Sequence, residues 1–232
     1  TLTEREAIEE AKRCLSCGGC CDCRLCEEAC EAKSIRYDQA VEKVELIVGG
    51  VIVATGFKEY DPSKLFYGYG KYSNVITQFQ LARMMDPIGP TKGEILRVSD
   101  GKPAKKIVMV QCVGSRGDRQ GNKHTHSYCS RVCCMVALKH AGLIKKNFTP
   151  DAEISICYID IRAFGKGYEE YYERIRTQGV KFIRGLPAKI IEDPDTKKIS
   201  VTVEDSSTDR LLNLDADLLV LSAATEPAEG IK

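Results

Sequence analysis

Three features that mark common protein classes are missing from this chain of 232 residues. Its 34 basic and 33 acidic residues nearly cancel, so the charge favours neither a nucleic-acid partner nor an acidic disordered tail. No apolar run approaches the roughly 18 residues that a membrane span needs. The N-terminus is acidic and predicted to be helical, which is wrong for a secretory signal. We therefore expect a cytoplasmic protein of one large or two small domains.

The glycine fingerprint of a dinucleotide-binding fold is also missing. In such a fold the first strand runs into G-x-G-x-x-G, whose glycines let a pyrophosphate approach the backbone. Here the predicted strand 106–112 runs into the letters QCVGSR, which contain one glycine. The bulky residues Gln111, Cys112 and Val113 predict that NAD(P) does not bind in this sheet. Arg116, which follows, is interpreted as an ordinary surface arginine.

Strand and helix patterns alternate after residue 104, as is typical of an α/β fold. A doubly wound, Rossmann-like parallel sheet with an antiparallel excursion is therefore predicted. Its predicted elements are strands 106–112, 154–159, 180–184 and 218–223, helices 128–146 and 168–178, and a hairpin over 188–204. Ahead of them we predict a helix over 3–13, a buried strand or hairpin over 44–54 and a helix over 78–86 capped by Thr77 and Gln80.

Cysteine, by contrast, is abundant, and most of the twelve cysteines fall into two groups. In a reducing compartment a disulfide framework is not expected. The first group contains the spacing C-x2-C-x2-C-x3-C of bacterial ferredoxins, except that Glu31 replaces the usual proline. A further C-x2-C pair precedes it, and Cys21 is interpreted as a bystander thiol. The predicted ligands of one or two [4Fe–4S] clusters are Cys14, Cys17, Cys20, Cys23, Cys26 and Cys30.

Zinc is the alternative for the first group, since two C-x2-C pairs can form a tetrahedral four-thiolate site. Zinc usually takes two pairs that lie about a dozen or more residues apart. The pairs here are crowded together, which favours iron–sulfur. The zinc-stabilised interaction scaffold stays open as a non-enzymatic alternative.

The second group consists of Cys112, Cys129, Cys133 and Cys134. Cys129 and Cys133 are four residues apart on the predicted helix and would share a face, while Cys112 ends the preceding strand. The helix dipole at this end favours thiolates and an anionic cluster. The alternative is a set of buried core thiols, an interpretation that suits the isolated Cys157. It suits Cys133 and Cys134 poorly, because neighbours on a helix point about 100° apart. His124 and His126, in the loop just before, are interpreted as solvated.

Two segments of the chain resemble the A-subunit of heterodisulfide reductase and its relatives. They are QCVGSR at 111–116 and YCSRVCC at 128–134. The relatives include flavoprotein subunits of quinone-interacting oxidoreductases and of class II benzoyl-CoA reductase. VIVATGF at 51–57 is similar to the Ala-Thr-Gly segment of flavoproteins with two dinucleotide domains, residues 215–227 resemble their closing strand, and AKRCLSCG at 11–18 resembles the iron–sulfur entry of glutamate-synthase-type enzymes.

The resemblance implies a thioredoxin-reductase-like domain in which Cys112, Cys129, Cys133 and Cys134 hold a [4Fe–4S] cluster. It also implies FAD near Thr55 and Gly56, completed by a segment or chain that is not present here. No residue is assigned acid–base catalysis. The implied partners are other subunits of an anaerobic redox complex, similar to heterodisulfide reductase B and C, with hydrogenase or ferredoxin-type carriers. Some members of the family bifurcate electrons.

Two departures from the family pattern lead us to expect a processed product or a piece of a longer protein. The N-terminal FAD fingerprint and a C-terminal two-cluster ferredoxin are missing, and the chain does not begin with Met. The implied domains are an iron–sulfur module at 1–40, part of a FAD-binding domain at 41–92 and a Rossmann-like domain with a second cluster at 93–232. An NADPH-dependent oxidoreductase subunit of the glutamate-synthase type is the alternative enzyme.

Overall fold

The computed structural model describes residues 3–6, 24–87, 89–117 and 124–229. A five-stranded parallel sheet lies at the centre of this part of the chain. Its strands, in spatial order, are β2 (Val75–Thr77), β9 (Leu218–Ala223), β3 (Lys106–Val113), β4 (Glu153–Tyr158) and β5 (Lys181–Arg184). Nearly every side chain of β3 and β9 is buried. Most residues of these two strands are apolar because both faces of the sheet are covered.

Helices cover one face of the sheet. They are α2 (Gln78–Met85), α3 (Cys133–Leu143) and α4 (Tyr168–Thr177), while the short α1 (Leu25–Glu28) lies earlier in the chain. A π-helical turn, Ile144–Phe148, continues α3. The three covering helices share one hydrophobic core with the sheet, to which they contribute Leu81, Leu138 and Ile175.

An antiparallel meander covers the opposite face. It consists of β6 (Pro187–Glu192), β7 (Ile199–Asp205) and β8 (Arg210–Ala216). Alternate side chains of β7, such as Val201 and Val203, pack against Val108 and Val110 of β3. Near the C-terminal ends of the parallel strands, β1 (Phe57–Glu59) pairs with β10 (Thr225–Pro227). The result is three layers: helices, parallel sheet and meander.

The predicted α/β class and antiparallel excursion are confirmed. Helix α2 begins at a full capping box, in which Thr77 accepts a hydrogen bond from the Gln80 backbone N–H and donates its own N–H to the Gln80 side chain. At the N-terminus, the backbone N–H of Thr3 donates to Glu6 at 2.8 Å, and the rest of the predicted helix 3–13 lies outside the described residues. The N-terminal iron–sulfur module therefore stays a prediction.

The buried strand predicted over 44–54 is wrong. The structure has no strand there, and the side chains of Ile47, Val51 and Ile52 are exposed. An apolar β-branched run becomes a buried strand only when another strand takes its backbone hydrogen bonds and a core covers its side chains. None of the strands in the described ranges pairs with this segment.

The predicted start of helix 128–146 is also wrong, because α3 begins at Cys133. Arg131 has a φ of 68°, in the left-handed region that a right-handed helix cannot include. The residues before it are bonded to other segments: the Arg116 N–H donates to the Tyr128 carbonyl, and the Thr225 N–H donates to the Ser130 hydroxyl. These long-range bonds replace the helical ones.

Strand β8 was not predicted, although its sequence carries a signal. Leu212, Leu214 and Ala216 alternate with polar residues, and alternation with period two indicates a half-buried strand. In the structure Leu212 and Leu214 pack against the core between the parallel sheet and the meander. The predicted hairpin is confirmed, and Asp193 accepts bonds from the backbone N–H groups of Asp195 and Thr196 at its turn.

The structure bears on two further expectations, the lack of a membrane span and the division into domains. In the described ranges, no helix has the length and apolar character that crossing a membrane requires. The predicted domain division at residues 92 and 93 stays a prediction. Residues on both sides of it share one core, since β2 pairs with β9 and α2 packs with α3.

Candidate functional site

The second cysteine group lies at the C-terminal edge of the parallel sheet, where α/β proteins bind their ligands. Cys112 stands at the end of β3 and is buried. Cys133 and Cys134 occupy the first turn of α3 and are also buried. Cys129 lies in the loop before the helix and is half-buried. All four are free thiols, contributed by a strand end, a loop and a helix start.

The backbone at the end of β3 is unusual. Its pairing with β9 shifts register between Val110 and Val113, which marks a bulge. Inside the bulge, Cys112 adopts a left-handed φ of 61°. Both features concentrate at functional sites, because they redirect side chains at an energetic cost that the surrounding structure must offset.

Gly114 fixes the path of the loop that follows. Its φ is 77°, and a Cβ at this position would lie 2.4 Å from the ring of Tyr60. The Tyr60 hydroxyl in turn donates to the His124 carbonyl at 2.6 Å. The single glycine of the QCVGSR segment therefore allows close packing on Tyr60, rather than close approach of a pyrophosphate.

The four thiols interact electrostatically. Cys133 donates a hydrogen bond to Cys134, which raises the pKa of Cys133 and lowers the pKa of Cys134 to about 7. Burial raises the pKa of Cys112 to about 11, with further contributions from the neighbouring thiolates of Cys134 and Cys129. Of Cys112, Cys133 and Cys134, Cys134 therefore loses its proton most readily, and thiolates are what metals bind.

In the described ranges, no three His, Cys, Asp or Glu side chains converge tightly enough to hold a single metal ion. A cubane makes a different demand, because its cysteines surround a cluster of four irons instead of one ion. The group offers four uncrosslinked thiols, the ligand type that such a cluster takes.

Arg116 brings a half-buried positive charge to this group. Its guanidinium binds Asp160 through two hydrogen bonds of 2.7 and 3.1 Å and also donates to the Cys112 thiol. The Arg116 side chain is only 9% exposed, so its prediction as an ordinary surface residue is wrong. A nearby cation favours thiolates and an anionic ligand beside it.

The two loop histidines lie close to this edge. His126 contacts Glu226 at 2.7 Å and stacks on Tyr128 with ring centroids 4.8 Å apart. The His126 ring is half-buried, whereas His124 is exposed. The prediction that the histidines are solvated therefore agrees with the exposure of His124. It does not agree with His126, which contacts Glu226 and Tyr128.

A small cavity of about 230 Å³ lies beside Cys133. Most of its lining is apolar, with Phe57, Phe79, Val132 and Val136 among the residues. One wall is a chain of polar groups, in which His140 bonds to Gln78 at 2.6 Å and Gln78 donates to Ser222 at 3.3 Å.

His140 should make stability depend on pH. Burial, with the nearby Lys139, lowers its pKa from 6.5 to about 4. As pH falls from about 6.5 to 4, the unfolded chain takes up the proton first, so the free energy of unfolding decreases by up to about 3 kcal/mol. Urea unfolding across this range should show the decrease in the wild type and a smaller one in His140→Gln. The exposed-site control His124→Gln should keep the full decrease, and equal slopes in all three proteins would contradict the expectation.

The first cysteine group can be followed only at its end. Cys14, Cys17, Cys20, Cys21 and Cys23 lie outside the described residues. Cys26 falls within α1, and Cys30 follows it. A hydrogen bond from Ser34 lowers the pKa of Cys30. Ligation of a cluster by this group stays a prediction.

Thr55 and Gly56, the predicted flavin contacts, are exposed and lie directly before β1. Gly56 has a φ of 80° and open space around its Cα. Their role also stays a prediction.

No family model matches the chain, but curated relatives do. It is 54% identical over 210 residues to the iron-sulfur A-subunit of the CoB–CoM heterodisulfide reductase of Methanocaldococcus jannaschii, a match that covers 90% of this chain and 31% of that protein. It is 47% identical over 213 residues to the A-subunit of the H2:CoB-CoM heterodisulfide,ferredoxin reductase of Methanothermobacter marburgensis, with coverage of 91% and 31%. Over about nine tenths of its length, this chain is similar to the A-subunits of heterodisulfide reductases.

The chain spans about 31% of the length of these relatives. Among solved structures, this chain is similar to the thioredoxin reductases of T. acidophilum and Lactococcus lactis. The T. acidophilum enzyme has a TM-score of 0.40 and 13% identity, and the match covers 74% of this chain and 42% of that chain. The Lactococcus lactis enzyme has a TM-score of 0.42 and 16% identity, and the match covers 75% of this chain and 44% of that chain.

Proposed function

We propose that this segment relays electrons between a flavin and [4Fe–4S] clusters within a multisubunit reductase of the heterodisulfide type. The observation that carries the proposal is the group of four thiols at the C-terminal edge of the sheet. A nucleotide-binding fold would hold its pyrophosphate there, and this chain places Cys112, Cys133 and Cys134 there instead.

The residues at this edge would have different roles in such a site. Cys112, Cys129, Cys133 and Cys134 would each ligate one iron, and a bound [4Fe–4S] cluster supplies one-electron transfer. Arg116 offsets negative charge beside Cys112, and Asp160 holds the guanidinium in place. Burial of three of the four thiols excludes water from the ligands. None of these residues moves a proton in the proposed function.

The remaining parts of the proposal lie at the start of the chain. The ferredoxin-like group, Cys14, Cys17, Cys20, Cys23, Cys26 and Cys30, would hold at least one further cluster. Thr55 and Gly56 would contact FAD that a further segment or chain completes. The names of some relatives include hydrogen, formate or ferredoxin. These names support the proposal that partner subunits exchange electrons with such reactants. Names that combine a heterodisulfide and ferredoxin also support electron bifurcation.

Anaerobic measurement of iron and acid-labile sulfide, with EPR of the reduced protein, tests the proposal. We expect at least two cubanes' worth of iron, or about eight atoms per chain, and EPR signals of reduced clusters. Less than one cubane's worth would contradict it. Zinc without iron and sulfide would instead support the interaction scaffold. Tight NADPH binding in calorimetry would support the glutamate-synthase-type oxidoreductase.

A further inference from the structure

Gln111 has a buried carboxamide with no partner. The residue is 0% exposed, and within the described ranges neither its Nε2 nor its Oε1 has a hydrogen-bond partner. Buried amides are almost always paired, because leaving one unpaired forfeits its bonds to water. An orphaned amide in this position needs an explanation, and a bound ligand that completes its hydrogen bonding provides one.

The position of Gln111 in β3 shows which way the amide faces. Ile107 and Met109 belong to the core beneath the helices, whereas Val108 and Val110 face the meander. By strand alternation Gln111 lies on the helix-covered face. It directly follows Val110, opens the bulge between Val110 and Val113, and precedes Cys112.

The start of α3 lies over that same face. Ala137 and Leu138, four residues after Cys133 and Cys134, belong to the core beneath the helices. Residues four apart share a helix face, so the two thiols continue the buried stripe of α3 towards the C-terminal edge of the sheet. The orphaned amide and the buried thiols of Cys112, Cys133 and Cys134 therefore lie at the same end of the layer between helices and sheet.

We propose that the Gln111 side chain donates an N–H···S hydrogen bond to the cluster held by Cys112, Cys129, Cys133 and Cys134, and so raises its reduction potential. This inference rests on the proposed function. Sulfide and thiolate sulfurs accept hydrogen bonds, and bonds to the sulfurs are one of the factors that set cluster potentials. The reduced cluster carries one more negative charge, so a donor stabilises it more than the oxidised form.

The test compares the anaerobically purified protein with the variant Gln111→Leu, which removes the donor and keeps a similar volume. EPR-monitored redox titration follows the cluster that Cys133→Ala removes. At a fixed potential, we expect about a tenfold smaller ratio of reduced to oxidised cluster in Gln111→Leu, or about 59 mV for one electron. The matched control is Ser155→Ala, a buried polar residue that faces the meander side of β4, and its ratio should not change.

Two further measurements separate a redox role from a structural one. In protein labelled with 15N at the glutamine side chain, pulsed EPR of the reduced cluster should show a nitrogen coupling that is absent from Gln111→Leu. The metal-free form of Gln111→Leu should unfold at or above the wild-type temperature, because it no longer buries an unpaired amide.

The outcomes distinguish this inference from the proposed function. If the wild type holds the cluster but shows no 15N coupling, the inference is overturned even when the variant fails to take up iron. An unchanged redox ratio in iron-loaded Gln111→Leu also overturns it and leaves the proposed function intact. If Cys133→Ala removes no iron, the proposed cluster at this cysteine group is overturned, and the inference about Gln111 is overturned with it.

Discussion

The double variant Cys133→Ala/Cys134→Ala should lose about four iron atoms per chain and the matching sulfide, one whole cubane. Both thiols lie in the first turn of α3 and both are buried. Removing two of four thiolates leaves two irons without protein ligands at once, and alanine cannot replace them. Iron and sulfide analysis and EPR of the reduced variant measure the loss.

Cys157→Ala is the matched control. Cys157 is fully buried and packs in the core that faces the meander. Burial alone raises the pKa of Cys157 to about 12, so it stays a neutral core thiol. The control should keep all its iron. Equal iron in the double variant and the wild type would instead support the interpretation of the second cysteine group as core thiols.

Leu138→Ala should strongly destabilise the fold. Leu138 lies in the middle of α3, is 0% exposed and packs in the core between helices and sheet. Truncating a fully buried leucine costs about 2–5 kcal/mol, from lost apolar contact and the cavity left behind. Urea unfolding of the metal-free protein measures the change in the free energy of unfolding.

Leu211→Ala provides the same chemical change on the surface. Leu211 lies in β8 and is 67% exposed, so its truncation should change stability by no more than about 0.5 kcal/mol. Similar losses in the two variants would mean that α3 does not pack on the sheet through this core. Because α3 carries Cys133 and Cys134, Leu138→Ala should also bind iron more weakly.

Local features of the fold were predictable from the sequence. Thr77 and Gln80 are three residues apart, and their reciprocal bonds depend only on that spacing. The apolar run at the start of β9, Leu218 to Leu221, indicates burial on both faces, and all six side chains of the strand are buried. The segment over 44–54 carries a similar apolar run, but its side chains are exposed. A pattern of apolar residues predicts a strand only if a partner strand exists.

The candidate site was predictable only in part. The cysteine spacing indicated metal binding and grouped Cys112 with Cys133 and Cys134. The left-handed Arg131, which keeps Cys129 out of α3, has no signal in the sequence. The burial of Arg116 has none either, since it depends on Asp160, which lies 44 residues away. The unpaired amide of Gln111 could be recognised only once its surroundings were known.

The sequence by itself determined which residues could hold a cluster and that the dinucleotide fingerprint is missing, because residue identity and spacing decide both. It also determined the capping box and the apolar strands, whose interactions are local. Only the tertiary structure decided that the thiols, a half-buried arginine and an unpaired glutamine lie at one edge of one sheet. Such a meeting depends on the order and direction of strands far apart in the chain, and the pairing energies that select this order come from long-range contacts.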